Sequence, residues 1–477
     1  NIRKIIFFSQ FNKHYIGDNI MMFLENLISG TLPFVFLIIC GVYLSFKTGF
    51  CQIIRFPKSI NLTAKAFLKR KKTKEITSYK SACTAISATV GTGNIAGVAS
   101  AVSIGGAGAV FWMWISAILG MCIKSAEITL AIIYREKNEN GFVGGPQYYI
   151  KNGLGKAFKP LGFVFCLAAI PAVIIGGNMT QTNSAVVSVA TDPAERLILG
   201  IVFAFLCFLA SGSINKIASI TEKIVPFMSM LYIVICVAVL WRNIEVLPQC
   251  FKMIFTGAFN PKAVTGGAVG SIFSSMFIGA SRGIFSNEAG LGTSAMAHSV
   301  AIDADPKTQG LYGIFEVFVD TILLCTLTAL TILTHSGKIN FGKTASSELV
   351  LDILKTEFGN FGGISFCLMM CLFAFSSIIG WAVYGKLSVE YLLGEKGVKF
   401  FGIIYPICSV LGAVFTTESV WRLASFFNGI MLCTNLIAVL LLSNEAKIYL
   451  KRGNKSESKK TSKNIRKGRL CHNTKSC

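Results

Sequence analysis

Read for hydrophobic and polar positions, the chain divides into eleven apolar runs, each close to the roughly 20 residues a helix needs to cross a bilayer. They lie at about 28–46, 82–104, 108–134, 163–190, 196–213, 222–241, 266–298, 313–334, 363–393, 400–416 and 420–443. Two of them, 82–104 and 266–298, carry glycine clusters among Ser, Thr and Ala in mid-run. The stretch 336–360 reads as a loop with a short surface helix at 345–358. The pattern predicts an all-α polytopic membrane domain over 27–446. A basic tail over 447–477, rich in Lys, Ser and Asn, follows as a disordered segment.

Composition agrees. Of 477 residues 53% are hydrophobic and 14% charged, more apolar surface than a soluble domain of this length can hide. The net charge of +22 does not point to nucleic acid, because it sits in loops and the tail rather than on a folded face. Loop 47–80 has ten basic residues and one acid, tail 447–477 has eleven and one, and loop 135–160 has five basic residues. With eleven spans these fall on one side, so the positive-inside rule puts the C-terminus in the cytoplasm and the N-terminus outside. The chain begins at Asn1, and 1–26 reads as an extension, with Met21 or Met22 as candidate natural starts. Fifteen cysteines are scattered, many inside apolar runs, and read as small packed hydrophobes.

The glycine clusters carry the chemistry. Val90-Gly-Thr-Gly-Asn-Ile-Ala-Gly97 falls inside a span, where glycine weakens a helix. Unwound backbone at membrane depth persists only where protein or a watery cavity satisfies it. It offers amides to a carboxylate at the start of one half-helix and carbonyls to a cation at the end of the other. Close packing through small residues is the alternative. The second cluster, 279–292, places Arg282 and Glu288 near a span. They read as a pair, as partners of Lys124 and Glu127 in the third span, or as an intracellular gate. Four unbroken spans separate the two breaks, the spacing of a five-plus-five inverted repeat with its substrate site at the midplane.

Ser376 and Ser377 add two hard oxygens that suit a small cation such as Na⁺, or bond back to their own helix. Asn178, Gln181 and Asn183 give the fourth span a polar face that either holds a bound amino acid or joins helices. Four histidines in separate regions form no catalytic or metal constellation, so an enzyme is not indicated.

The stretches Val90–Ser100, 105–121, Ala126-Glu127, 144–149, 281–293, Phe375–Trp381 and 41–50 together resemble the alanine or glycine:cation symporters, in the right order over about 25–450. The resemblance implies a leucine-transporter-type fold with one extra N-terminal helix, and Na⁺-driven uptake of glycine or alanine across the cell membrane. It implies a substrate site at Gly91, Thr92, Gly93 and Asn94, with Gln181, Phe277, Gly279 and Phe285 around it and Trp381 closing over a short side chain. It implies sodium at Ser87, Val90, Phe373, Ser376 and Ser377. The chain departs from the family pattern in having Ser376-Ser377 where a Ser-Thr pair is common, and Thr89 where an Arg is common. A serine still offers its hydroxyl, while the lost Arg bears on gating. A proton-coupled carrier using Glu127 or Glu288, a channel and a non-transporting amino-acid sensor are the rival readings. Oligomeric state and sodium stoichiometry are not legible.

Overall fold

The structure is a computed structural model. It describes residues 27–451 apart from 70–72, 140, 211, 268 and 270. The extension 1–26 and most of the basic tail lie outside the described residues. Of the tail, 447–450 close the helix Ser443–Leu450.

The chain is almost entirely helical, with one short hairpin pairing Glu136–Asn138 to Gly141–Val143. Among the described residues, seven helices are long and apolar enough to cross a membrane, or eight when the bent pair Ser78–Thr89 and Gly93–Gly105 is one span. A count of eleven needs three more. These are Leu32–Thr48, the pair Ile272–Asn287 and Thr293–Ser299, and a division of Glu348–Val414. Such a division exists at Gly394 (φ 66°), and a further turn lies at Gly359 (φ 58°), conformations that an L side chain rarely adopts. The surface helix expected at 345–358 begins at Glu348 and ends at that turn.

The first break follows the sequence closely. Thr77 caps Ser78–Thr89 by accepting the Lys80 amide at 3.3 Å. Val90 is extended, and the chain returns to helix through the wide turn Gly93–Gly97, so the axis bends by 49°. The second break is shorter than the glycine pattern suggests. Helix Ile272–Asn287 runs straight through Gly279 and Gly283, and unwinding is confined to 288–292, where Glu288 has φ 56°. Gly279 and Gly283 serve contact instead. A Cβ at Gly279 would meet the Ala109 backbone, and one at Gly283 the Ser116 hydroxyl, so helix Gly108–Tyr134 packs at backbone distance.

The polarity is that of a bilayer protein. Large apolar side chains face outward, with Trp241 75% and Phe227 61% exposed, while Lys124, Glu127, Glu316, Asp320 and Asn94 are fully buried. Lipid solvates the first group and protein partners satisfy the second. The polar interior collects where the two breaks meet, and the second broken helix touches the first through Ser286 and Asn94.

Candidate functional site

The first break presents amides to side-chain oxygens. The Gly91 amide donates to Asn94 Oδ1 at 2.8 Å. The Thr92 amide and hydroxyl both donate to Gln181 Oε1, at 3.0 and 2.9 Å. Gln181 comes from the fourth span, in helix Thr180–Val189, and is 5% exposed. Its carbonyl oxygen therefore sits on donors that suit a carboxylate. Asn178 and Asn183, on the same polar face, join helices: Asn178 donates to the Tyr405 carbonyl at 2.6 Å and Asn183 to those of Gly412 and Phe415.

The Ser377 hydroxyl lies beside Gly91. Ser377 donates to the Val90 carbonyl over a long 3.3 Å, and Ser376 Oγ is fully buried without a hydrogen-bond partner among the described residues. Leaving a buried hydroxyl unpaired costs about 1–3 kcal/mol, a cost that an ion ligand removes. The donor set therefore fits a small hard cation. Ser87 turns its hydroxyl back to the Thr84 carbonyl at 2.7 Å, and Phe373 packs its ring on Tyr232 at 5.3 Å. Phe373 could reach an ion only through its carbonyl, whereas the Ser87 hydroxyl oxygen keeps lone pairs for one.

Several expected residues stand elsewhere. Trp381 donates its indole N–H to the Ala88 carbonyl at 3.3 Å and fills the space beside Gly177. Its helix runs antiparallel to Ser78–Thr89, so one turn beyond Ser377 leads back along that half-helix. Trp381 packs there between Ala88 and Gly177. Phe277 abuts Gly30 and meets Phe34 edge-on at 5.8 Å, facing the first helix, and Gly279 faces Ala109. Phe285 is the aromatic at the break: it lies 3.9 Å from where a Gly93 Cβ would be and packs on Trp421 at a 30° tilt, ring centroids 4.7 Å apart.

The charged residues do not pair as expected. Lys124 Nζ lies 3.3 Å from Glu316 and donates to the Asn287 carbonyl at 2.8 Å. Glu127 accepts from Asn435, Glu288 accepts from Thr293 at 2.6 Å, and Arg282 lies over the Trp421 ring at 5.3 Å. Arg282 and Glu288 thus take separate partners, Trp421 and Ser100 for the one and Thr293 for the other.

Sequence reasoning missed Asp320. It is fully buried in the wide helical turn Phe318–Cys325, where it accepts from Asn94 at 2.7 Å, Ser286 at 2.8 Å and Thr321 at 2.7 Å. It also missed the chain Glu316–His298–Gln309–Ser81, linked at 2.5, 2.6 and 3.1 Å. The available signal was two acids, Glu316 and Asp320, inside one apolar run.

With this geometry in view, residues 13–467 match the model of the Sodium:alanine symporter family. The chain belongs to that family. It is 38% identical to the sodium/alanine symporter AgcS of Methanococcus maripaludis, over 87% of this chain and 92% of that protein. It is 35% identical to the probable sodium/glutamine symporter GlnT of Bacillus subtilis, over 90% and 89%. An uncharacterized transporter of Haemophilus influenzae is 36% identical over 91% and 96%. The crystal structure of MhsT in complex with L-phenylalanine superposes with a TM-score of 0.54 at 15% identity, covering 80% of this chain and 94% of that one. That likeness concerns the fold, which is of the leucine-transporter type. This member of the sodium:alanine symporter family is thus a multi-pass membrane transporter and not an enzyme.

Proposed function

We propose that the protein is a sodium-coupled carrier that brings small neutral amino acids, alanine and glycine, into the cell by alternating access. The observation that carries this reading is the Gly91 and Thr92 amide pair held by Asn94 and Gln181 oxygens, with the Ser377 hydroxyl against Gly91 and Val90. An incoming carboxylate exchanges like for like with those oxygens. Sodium is co-transported cargo, taken by the Val90 carbonyl with the two serine hydroxyls, and Phe285 limits the side chain. The assignments at Gly91, Thr92, Gly93, Asn94, Gln181, Ser87, Val90, Phe373, Ser376 and Ser377 are part of this proposal. So are eleven spans with the C-terminus in the cytoplasm.

Asp320 supports the coupling to a cation. It anchors the Asn94 amide nitrogen, which turns Asn94 Oδ1 toward the Gly91 amide. A substrate carboxylate arriving beside it meets a like charge in a poorly screened interior. A bound cation offsets that repulsion, so ion and substrate raise each other's affinity by the same factor. Asp320→Asn is expected to reduce the dependence of alanine affinity on Na⁺. An unchanged Na⁺ dependence in binding assays would show that Asp320 does not take part.

The deciding experiment is uptake of radiolabelled alanine and glycine into proteoliposomes with Na⁺ replaced by choline at fixed pH. Loss of uptake is expected. Persistence would favour a proton-coupled carrier, with Glu127 or Glu288 as the acid; a relative in Bacillus subtilis, 31% identical, is described as a putative sodium/proton-dependent alanine carrier. Binding without exchange would favour a sensor. In the same assay Ser377→Ala should raise the Na⁺ concentration at half-maximal uptake about tenfold, the size of one lost charge-assisted contact. An unaltered Na⁺ curve would move the ion elsewhere.

A further inference from the structure

The chain leaves its first helix, Leu32–Thr48, through two left-handed residues, Gly49 and Phe50, and enters a short helix Cys51–Ile54 and a longer one, Phe56–Leu68. The site described above uses none of this segment. Between Lys47 and Lys74 the sequence contains no acid.

Helix Phe56–Leu68 has three different sides. Ser59 and Thr63 are buried one turn apart, and Ser59 donates to the Leu311 carbonyl at 2.6 Å. Lys58, Lys65 and Lys69 are exposed, and at about 3.6 residues per turn the positions i, i+7 and i+11 form one row. Ile60 and Phe67 are exposed on the other flank, and Leu68 at the end is 79% exposed. Among the described residues no carboxylate lies within 4.0 Å of any of the three lysines. With 13 residues the helix is too short to span a bilayer. A lysine row beside an apolar flank is the pattern of a helix in the membrane interface, its apolar side among acyl chains and its ammonium groups at the phosphates.

The same helix touches the transport machinery. Phe56 meets Phe318 edge-on at 4.8 Å, and Phe318 opens the wide turn that holds Asp320. Phe67 lies 6.3 Å, ring to ring, from Tyr79 in the half-helix Ser78–Thr89. Arg55, just before the helix, donates to the Tyr449 and Lys451 carbonyls at 3.1 and 2.8 Å.

We propose that helix Phe56–Leu68 binds anionic phospholipid, the Lys58, Lys65 and Lys69 row holding head-group phosphates, and that this binding sets the rate of transport. The orientation proposed above places it on the cytoplasmic leaflet, which carries the negative surface potential. One lysine near such a surface gains about fivefold in affinity, so three gain about 100-fold. Held there, the helix keeps Ser59 on Leu311 and Phe67 beside Tyr79, and so steadies both the span with Asp320 and the first half-helix. In neutral lipid the row has no counter-charge and that support weakens.

Two measurements on the purified full-length protein test this. In detergent, phosphatidylglycerol should raise the thermal unfolding midpoint and phosphatidylcholine should not, because a ligand of the folded state stabilises it. The combined variant Lys58→Gln, Lys65→Gln, Lys69→Gln should need about 100-fold more phosphatidylglycerol for the same effect. Arginine at the same three positions should restore the response. Lys156→Gln with Lys159→Gln, exposed in another basic loop, should leave it within about twofold. In proteoliposomes, wild-type alanine uptake in Na⁺ should rise at least about threefold when phosphatidylglycerol replaces about a third of the phosphatidylcholine. The triple glutamine variant should keep the neutral-lipid rate in both. A midpoint that phosphatidylglycerol does not raise, wild-type uptake equal in the two lipids, or a glutamine variant with the wild-type response overturns the proposal. Stabilisation through this row without alanine uptake in any lipid would leave the lipid site standing and sink the carrier reading instead.

Discussion

Gly91→Ala should abolish uptake, lowering it by about 100-fold or more, because the added methyl group lands inside the site. A Cβ at Gly91 would collide with the Ser377 hydroxyl and stand 2.8 Å from Gln181 Oε1. Neither neighbour can yield cheaply: Ser377 bonds the Val90 carbonyl, and Gln181 holds Thr92. A displacement of about 1 Å in a binding constellation commonly costs two orders of magnitude in rate. The comparison variant is Gly402→Ala, in helix Glu348–Val414 away from the break, where nothing lies within 4 Å of the new Cβ. It should keep at least about half of wild-type uptake by the size of ordinary surface substitutions. Equal activity of the two variants in proteoliposomes would mean that the break is not the substrate site.

Lys124→Met should destabilise the protein by about 3–5 kcal/mol, the usual cost of removing one partner from a buried ion pair. Lys124 and Glu316 are both fully inaccessible, and the lysine also satisfies the Asn287 carbonyl at the end of helix Ile272–Asn287. Its loss leaves Glu316 with only His298 and frees the strand of chain that begins the second break. Thermal unfolding followed by size-exclusion fluorescence should show a large drop in the midpoint. Adding Glu316→Gln should restore part of it, because the uncompensated charge is then gone. A double variant less stable than Lys124→Met alone would place Glu316 in a role independent of that pair.

The legible part of this protein was its periodicity and its glycines. Apolar runs of bilayer length marked most of the helices, and the Val90–Gly97 stretch marked a break that the backbone places within a residue or two. Gln181 stood out too, as one of the three residues that give the fourth span a polar face. The second break was misjudged because glycine has two uses. At Gly279 and Gly283 it admits a neighbouring helix, and only at Gly290 and Gly292, with positive φ, does it turn the chain. Sequence spacing does not distinguish the two. The charged residues differ for a similar reason. Arg282 and Glu288 read as partners of each other or of Lys124 and Glu127, or as a gate, yet the lysine reaches Glu316 on another helix, a contact that depends on packing between helices rather than on spacing along one. Asp320 was hidden in a run that reads as a span, since two acids hardly alter the hydropathy of 22 residues.

The Gln181 oxygen that rests on Thr92 bears on the return stroke of a carrier working as proposed. After delivering its cargo, such a carrier must reorient empty, and dry, unpaired donors at its centre would make that step slow. Here the fourth span lends its own acceptor, so the vacated amide and hydroxyl stay bonded throughout. Net accumulation need not then lag behind one-for-one exchange, and a Gln181→Leu carrier should exchange alanine far better than it accumulates it.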